Sequence, residues 1–430
     1  MFSKTKNNFQ KSLFFVQNWK KSLGKVELFA VFLIFLAVYF SGISRTQLEK
    51  DESQWIAYSD RFELFMHGDF NNNKWFAEWN KYVNPVMSYY VIGLGRSIGG
   101  FDASKLNTPY DYTITMKENI ARNAIPSPAL LWWSRAGVTI WSVIGVFIVF
   151  FLLLKSYGRI SAYSWLVIAS LNKYFLTSLS QAMNEGALIG FLMIGTLAVY
   201  FFLKTCSEGD IQKQWKKMIF WLVIAGIAVG FAAQTKTNGA AAFIGIILSI
   251  AFGLIRMRDY WRVKLFYAAI LITMVSSVTF LAFILPNPTA WNNPTQYMTR
   301  VIDARMTIIQ NQSDDTTDVI TSWSERLQVV PERIFGNYMA FPPIIPTFLF
   351  FLMGAVIVAV NAYQWLLGQN NNHAIVALIF IGLIVSIPSL FTPLDWGRYF
   401  FLPVFFFTPP VLIGMQFFII FFAKQAKTIR

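Results

Sequence analysis

Long hydrophobic runs alternate with shorter polar segments along most of the chain. The runs cover residues 28–43, 129–154, 160–179, 186–203, 218–233, 239–255, 265–285, 345–367, 374–391 and 400–422. Each is close to the roughly 20 residues that an α-helix needs to cross a bilayer. The pattern therefore predicts an all-α, polytopic membrane protein of about ten transmembrane helices, forming a single membrane domain over residues 1–430.

Two polar segments are much longer than the others, at residues 45–135 and 286–344. Early in the first, aromatic residues recur at helical spacing, namely Trp55, Tyr58, Phe62 and Phe65. Asp51 lies one turn before them on the same face. This spacing predicts a helix along the membrane surface that starts near Asp51. Asp51 can also be interpreted as an N-cap with Gln54 as its capping-box partner, and the two roles are compatible.

The distribution of positive charge predicts the orientation in the membrane. The formal net charge is +14, but Lys and Arg are dispersed between the hydrophobic runs, which is not the pattern of a nucleic-acid-binding patch. With residues 1–27 as a cytoplasmic tail, the cytoplasmic segments have the higher density of Lys and Arg, as the positive-inside rule requires. Both termini are then cytoplasmic, and both long polar segments are outer loops. The only cysteine, Cys206, excludes an intrachain disulfide.

Charged residues at the outer ends of the runs are the candidates for chemistry. They are Asp51, Glu52, Glu185, Lys236 and Arg398. A single charge at a membrane edge is usually an interfacial anchor, so the case for a site depends on the whole set. Acids and cations on one face can together remove a proton and bind an anion. The two histidines, His67 and His373, fall in different predicted compartments, which argues against a histidine-based zinc site.

Six short segments on the predicted outer side resemble, in order, those of one family of membrane enzymes. They are Asp51-Glu52, residues 84–90 in place of a His-Pro-Pro segment, Glu185 where the family more often has Asp, the Gly…Thr-Lys turn at 230–236, residues 287–294, and Arg398-Tyr399. Through them the chain resembles the polytopic, lipid-phosphate-dependent glycosyltransferases of the C-type fold. It is most similar to the branch with protein O-mannosyltransferases and the aminoarabinose transferases that modify lipid A. Asn84 and Val86 depart from the family's His and second Pro, so no role is transferred to that segment.

The resemblance implies transfer of a hexose or pentose from a polyprenyl-phosphate donor to a hydroxyl acceptor on the non-cytoplasmic face. Asp51 would remove the acceptor proton, and Glu52 would orient Asp51 or bind the sugar. Lys236 and Arg398 would bind the donor phosphate. Glu185 would belong to the acceptor pocket or to a metal site. Simpler roles remain open: a surface acid for Glu52, a helix-start carboxylate for Glu185, and interfacial anchors for the two cations.

The resemblance defines the partners and the location only by class. The partners are a polyprenyl-phosphate sugar, a glycan, lipid or protein acceptor, and membrane lipids, without nucleic acid. A divalent metal ion is an open question as cofactor, and the bacterial inner membrane is the favoured location. A transporter or flippase of a lipid-linked saccharide is the main alternative, although such proteins usually carry charges near the bilayer midplane and contain repeated halves. A structural subunit without activity is a third, and it would tolerate Asp51→Asn.

Overall fold

The computed structural model describes residues 23–77, 82, 85–339 and 344–429. Most of the predicted cytoplasmic tail, residues 1–27, lies outside the described residues, and so does Asn84. In the described part, the secondary structure is helical apart from one isolated β-bridge between Val319 and Leu394. The chain is therefore all-α, as the hydrophobic pattern predicts.

The α-helices are numbered here in chain order. Up to residue 206 they are α1 (Lys25–Ile43), α2 (Lys50–Ala57), α3 (Arg61–Met66), α4 (Met87–Ile98), α5 (Met116–Ala121), α6 (Pro128–Tyr157), α7 (Arg159–Leu171), α8 (Lys173–Ser180) and α9 (Asn184–Cys206). After it they are α10 (Ile211–Ala233), α11 (Ala242–Arg256), α12 (Trp261–Ile284), α13 (Pro294–Asp314), α14 (Trp323–Pro331), α15 (Ile344–Leu366), α16 (His373–Leu390) and α17 (Phe401–Ile429). Short 3₁₀ turns precede α11 at Thr237–Ala241 and α17 at Gly397–Tyr399.

Nine helices among the described residues are long and apolar enough to cross a membrane. They are α1, α6, α9, α10, α11 with its preceding turn, α12, α15, α16 and α17. The most apolar part of α9 is 83% buried, so this helix lies at the centre of the bundle, whereas α1 and α12 are 22% buried and lie at its edge. The prediction of a polytopic helical membrane protein is confirmed.

The predicted span at residues 160–179 is not one continuous helix. It is divided into α7 and α8 at Asn172, whose backbone is extended and whose side chain accepts a hydrogen bond from Phe175 N at 3.0 Å. Asn competes with the helix in this way because its short amide can bond the local backbone. The two helices run beside α1, with Arg159 3.2 Å from Glu27 at one end and Ser180 3.5 Å from the carbonyl of Tyr39 near the other. Together they cover nearly the length of α1.

The predicted surface helix after Asp51 consists of three shorter pieces. These are α2, a 3₁₀ turn at Tyr58–Asp60, and α3. The N-cap is Glu49, and its N–H donates to the carboxylate of Glu52 at 3.0 Å, so the expected capping box of Asp51 with Gln54 is wrong. Trp55 packs against Tyr89 of α4 at 4.9 Å between ring centroids. The start of the first polar segment is therefore held on the bundle.

Close helix packing brings the first polar segment to the end of the bundle. α4 approaches α6 at two glycines, because a Cβ on Gly95 would lie 2.7 Å from the Cα of Gly137. Small residues permit this backbone contact between helices in a membrane. Tyr90 of α4 also donates a hydrogen bond to the carbonyl of Pro286 at 2.5 Å. The two long polar segments therefore meet at one end of the bundle.

The second long polar segment is tied to the turn that precedes α17. Ile320 N donates to the carbonyl of Pro393 at 2.7 Å, and Arg333 forms two hydrogen bonds with Asp395, at 2.8 and 2.6 Å. A bidentate pair of this kind fixes both distance and angle. The contact sets the position of the turn that carries Arg398.

Candidate active site

One cavity of about 650 Å³ is lined by four of the five candidate site residues predicted from the sequence. Asp51 of α2, Glu185 of α9, Lys236 of the turn after α10 and Arg398 of the turn before α17 all line it. They come from segments far apart in the chain, so the fold brings them together. Glu52 is not among the lining residues.

Asp51 receives hydrogen bonds on both carboxylate oxygens. The Tyr112 hydroxyl donates to Oδ1, and the Arg398 guanidinium donates to Oδ2. Burial, and then the negative charge of Asp51, raise the pKa of Tyr112, so the phenol remains a proton donor. The Asp51 side chain is 26% exposed, so a molecule in the cavity can reach it.

Arg398 lies over the rings of Trp396 and Tyr399, at 4.9 and 5.7 Å from their centroids. Burial by itself would lower the pKa of Arg398, but the negative charge of Asp51 contributes to a net increase. The guanidinium therefore stays charged. It is held by aromatic faces on one side and a carboxylate on the other, an arrangement that suits binding of an anion in the cavity.

Glu185 and Lys236 form a second pair, with 2.9 Å between Nζ and Oε1. Glu185 is in the first turn of α9, where the helix dipole favours a negative charge, and its side chain is only 4% exposed. Lys236 follows a turn fixed by Gln234, which accepts from Val86 N at 3.3 Å and donates to the Phe283 carbonyl at 2.5 Å. The turn therefore holds the lysine at a defined place in the cavity.

Glu52 lies in a separate, fully buried cluster beside the cavity. Its two oxygens accept from Nε and NH2 of Arg135 on α6, at 2.7 and 2.6 Å. Oε1 also accepts from Ala182 N at 2.7 Å. These bonds tie α2 to α6 and to the start of α9. Because both oxygens of Glu52 are taken up by these bonds, Glu52 does not reach the cavity. Its contacts fix the position of α2.

The cavity has further lining residues that the sequence did not identify. From the first polar segment comes Tyr112, and from α13 and its end come Arg305, Gln312 and Asp315. Tyr399 connects α13 to the site, because its hydroxyl accepts from Arg305 at 3.3 Å and donates to Gln312 at 3.2 Å. Tyr399 belongs to the Arg398-Tyr399 segment, but Tyr112, Arg305, Gln312 and Asp315 lie in no recognisable motif. For α13, the length and helical periodicity of the segment were the features of the sequence that could indicate a helix there.

The lining side chains suit an anion better than a divalent metal ion. Of the three lining acids, Asp51 and Glu185 are each paired with a cation, and Asp315 is the third. The lining cations are Lys236, Arg305 and Arg398. Metal ions such as Mg²⁺ need several oxygen ligands that are free to coordinate. Across the described residues there is no group of three or more His, Cys, Asp or Glu that could hold a metal ion. His373 accepts from Trp365 Nε1 at 2.6 Å, away from this cavity.

Comparison with known proteins adds a family assignment for about half of the chain. Residues 82–291 match the family model of dolichyl-phosphate-mannose-protein mannosyltransferase. This range contains Glu185 and Lys236, while Asp51 and Arg398 lie outside it. A search of curated proteins and a search of solved structures found no match. The predicted resemblance to O-mannosyltransferases is confirmed by this match, in which residues 82–291 fit the model of the dolichyl-phosphate-mannose-protein mannosyltransferase family.

Proposed function

We propose that this membrane protein is a glycosyltransferase that moves a monosaccharide from a polyprenyl-phosphate donor to a hydroxyl group of a glycan, lipid or protein. The family match supports the class of reaction. The observation that carries the site is that Asp51, Glu185, Lys236 and Arg398 line one cavity. The density of Lys and Arg in the opposite connecting segments supports a non-cytoplasmic site and cytoplasmic termini. A bacterial inner membrane is the location that we propose.

In this proposal Asp51 is the general base. The acceptor oxygen forms a bond to the anomeric carbon while its proton passes to the Asp51 carboxylate. The bond between that carbon and the phosphate oxygen breaks, and its electron pair leaves with the polyprenyl phosphate. Tyr112 and Arg398 hold the carboxylate from two sides, so its orientation is defined before the acceptor arrives. Glu52 supports this by fixing α2 to α6.

In this proposal Arg398 and Lys236 bind the donor phosphate. Both cations point into the cavity, and both are already paired with a carboxylate. A bound phosphate adds negative charge next to them, and more develops when the sugar leaves. Glu185 then holds Lys236 in place and lines the pocket for the acceptor. No step in this proposal requires a metal ion.

The proposal is tested by sugar transfer with the purified full chain. A panel of radiolabelled polyprenyl-phosphate sugars, beginning with mannose, is supplied with crude membranes as a source of acceptors. We expect release of polyprenyl phosphate together with incorporation of label into a membrane component. If no donor is consumed but the lipid-linked sugar crosses sealed vesicles containing the protein, the transporter alternative is correct.

Arg398→Gln is expected to raise the donor KM by roughly 10- to 100-fold, because a hydrogen bond between two charged groups is lost. Arg398→Lys should fall between this variant and the wild type, since Lys keeps the charge but not the planar geometry. The measurement is a titration of the donor at saturating acceptor. Arg122→Gln, on an exposed ion pair with Asp111, is the control. An unchanged KM in both Arg398 variants would remove Arg398 from the donor site.

A further inference from the structure

Helix α13 (Pro294–Asp314) presents three different faces. One face packs inward and lines the cavity, through Val301, Ile308 and Gln312. A second face is polar and exposed, and it includes Arg300. The third face is apolar and exposed, and we call it the apolar stripe; it consists of Met298, Ile302 and Met306. The stripe residues are four positions apart, so they follow one another along the same side of the helix.

The apolar stripe is well exposed for a hydrophobic surface. Met298 is 40% exposed, Ile302 62% and Met306 63%. Between α12 and α13 two more apolar residues are exposed: Leu285, directly after the membrane-spanning helix α12, at 57%, and Trp291 at 40%. In a membrane protein, apolar surface of this kind can contact the hydrocarbon chain of a lipid or of a lipid-linked ligand. Along the chain, the stripe lies between the end of the membrane-spanning helix α12 and the residues of α13 that line the cavity.

Arg305 lies at the border between the apolar stripe and the cavity. It is three positions after Ile302 and three before Ile308, so it neighbours both faces of α13. Within the described part of the chain, Arg398 and Lys236 have carboxylate partners, whereas no ion pair is found for Arg305. Its guanidinium donates to the Tyr399 hydroxyl at 3.3 Å and lies 5.9 Å from that ring. Among the described residues that line the cavity, Arg305 is thus the cation for which no carboxylate partner is found.

We propose that α13 binds the donor as an amphiphile: Arg305 takes the phosphate, and the apolar stripe takes the first isoprene units of the chain. This inference rests on the proposed function, which supplies a polyprenyl phosphate as donor. A ligand with an anionic head and a long apolar tail matches a cation set beside a hydrophobic stripe. The head then lies next to Arg398, and the tail leaves the cavity toward the membrane along α13. Arg305 and the stripe thus select for lipid-linked phosphates over soluble sugar phosphates.

The test measures binding without sugar transfer. The full chain is placed in phosphatidylcholine nanodiscs with a polyprenyl phosphate that carries a photoreactive group near the phosphate, and unlabelled methyl phosphate serves as a competitor that lacks the isoprenoid chain. Met298→Gln, Ile302→Gln and Met306→Gln are combined in one stripe variant. The controls are Arg300→Gln on the polar face of α13 and Leu327→Gln, an exposed apolar residue of α14. Thermal unfolding verifies that each variant is folded.

We expect the wild type to cross-link on α13, and the stripe variant to bind the long-chain phosphate about tenfold more weakly through lost apolar contact. Binding of methyl phosphate, which has no isoprene unit, should be unchanged in the stripe variant and weakened in Arg305→Gln, and both controls should behave as the wild type. Cross-linking confined to other helices would overturn the proposal. So would equal loss of both ligands in the stripe variant, or equal cross-linking by a photoreactive phosphatidylcholine, which would make the stripe a general lipid contact.

This design separates the two proposals. Binding on α13 without any sugar transfer would contradict the proposed function and leave the amphiphile site standing. Sugar transfer with the same donor KM in the stripe variant and the wild type would support the proposed function and contradict the amphiphile site.

Discussion

Asp51→Asn is expected to lower the rate of sugar transfer by roughly 10²- to 10⁴-fold, the range that a general base contributes. The amide occupies nearly the same volume, and its oxygen can accept from Arg398 while its NH2 group donates to the Tyr112 hydroxyl oxygen, but it cannot take up the acceptor proton. The ion pair with Arg398 is lost as well. Because the carboxylate no longer competes for this guanidinium, the affinity for the donor phosphate should stay the same or increase. A loss of kcat with an unchanged or lower donor KM is therefore the signature of the base.

The measurement is the initial rate of transfer with donor and acceptor varied separately, alongside donor binding by equilibrium titration. Asp303→Asn is the matched control, since Asp303 is exposed on α13 and does not line the cavity. A lower rate explained entirely by weaker donor binding would give Asp51 a structural role. Wild-type rates in Asp51→Asn would mean that the catalytic base is another group.

Asp51 and Glu52 are neighbours in the sequence but have different surroundings in the structure. Adjacent residues on an α-helix point about 100° apart, so both carboxylates could not face the same cavity once α2 had formed. The family resemblance implies a role in catalysis for both residues. In the structure Asp51 lines the cavity, whereas Glu52 is buried in an ion pair with Arg135. Nothing in the sequence identifies which of the two is buried, because the partner Arg135 is distant in the chain.

The convergence of Glu185, Lys236 and Arg398 was predictable because each follows or precedes a hydrophobic run at the same predicted side of the membrane. Membrane crossing restricts the ends of the runs to two surfaces, which is a strong constraint on position. Arg305 was not predictable in this way, since α13 is not anchored by a span and its place depends on tertiary contacts such as that with Tyr399. The break at Asn172 had a local signal, the polar pair Asn172-Lys173 inside an apolar run.

Glu52→Gln is expected to destabilise the fold by about 3–5 kcal/mol, because it leaves the buried Arg135 guanidinium without a counter-charge. Both side chains are nearly inaccessible, at 0% and 2% exposure. Water cannot replace the lost partner, and the backbone N–H of Ala182 also loses a charged acceptor. Thermal unfolding in detergent should therefore begin at a clearly lower temperature. Asp111→Asn, which breaks the exposed pair with Arg122, should change the unfolding temperature little.

The double variant Glu52→Gln/Arg135→Met distinguishes a positioning role from a chemical one. Removing both charges eliminates the unpaired guanidinium, so much of the lost stability should return. If Glu52 acts only by fixing α2, transfer activity in the double variant should recover in proportion to the fraction of protein that is folded with Asp51 in its native position. If Glu52→Gln melts like the wild type but has lost transfer, Glu52 acts on the substrate, as the family resemblance implied. A stable but inactive protein would then require a state in which Glu52 reaches the cavity, and Arg135 would have to release it.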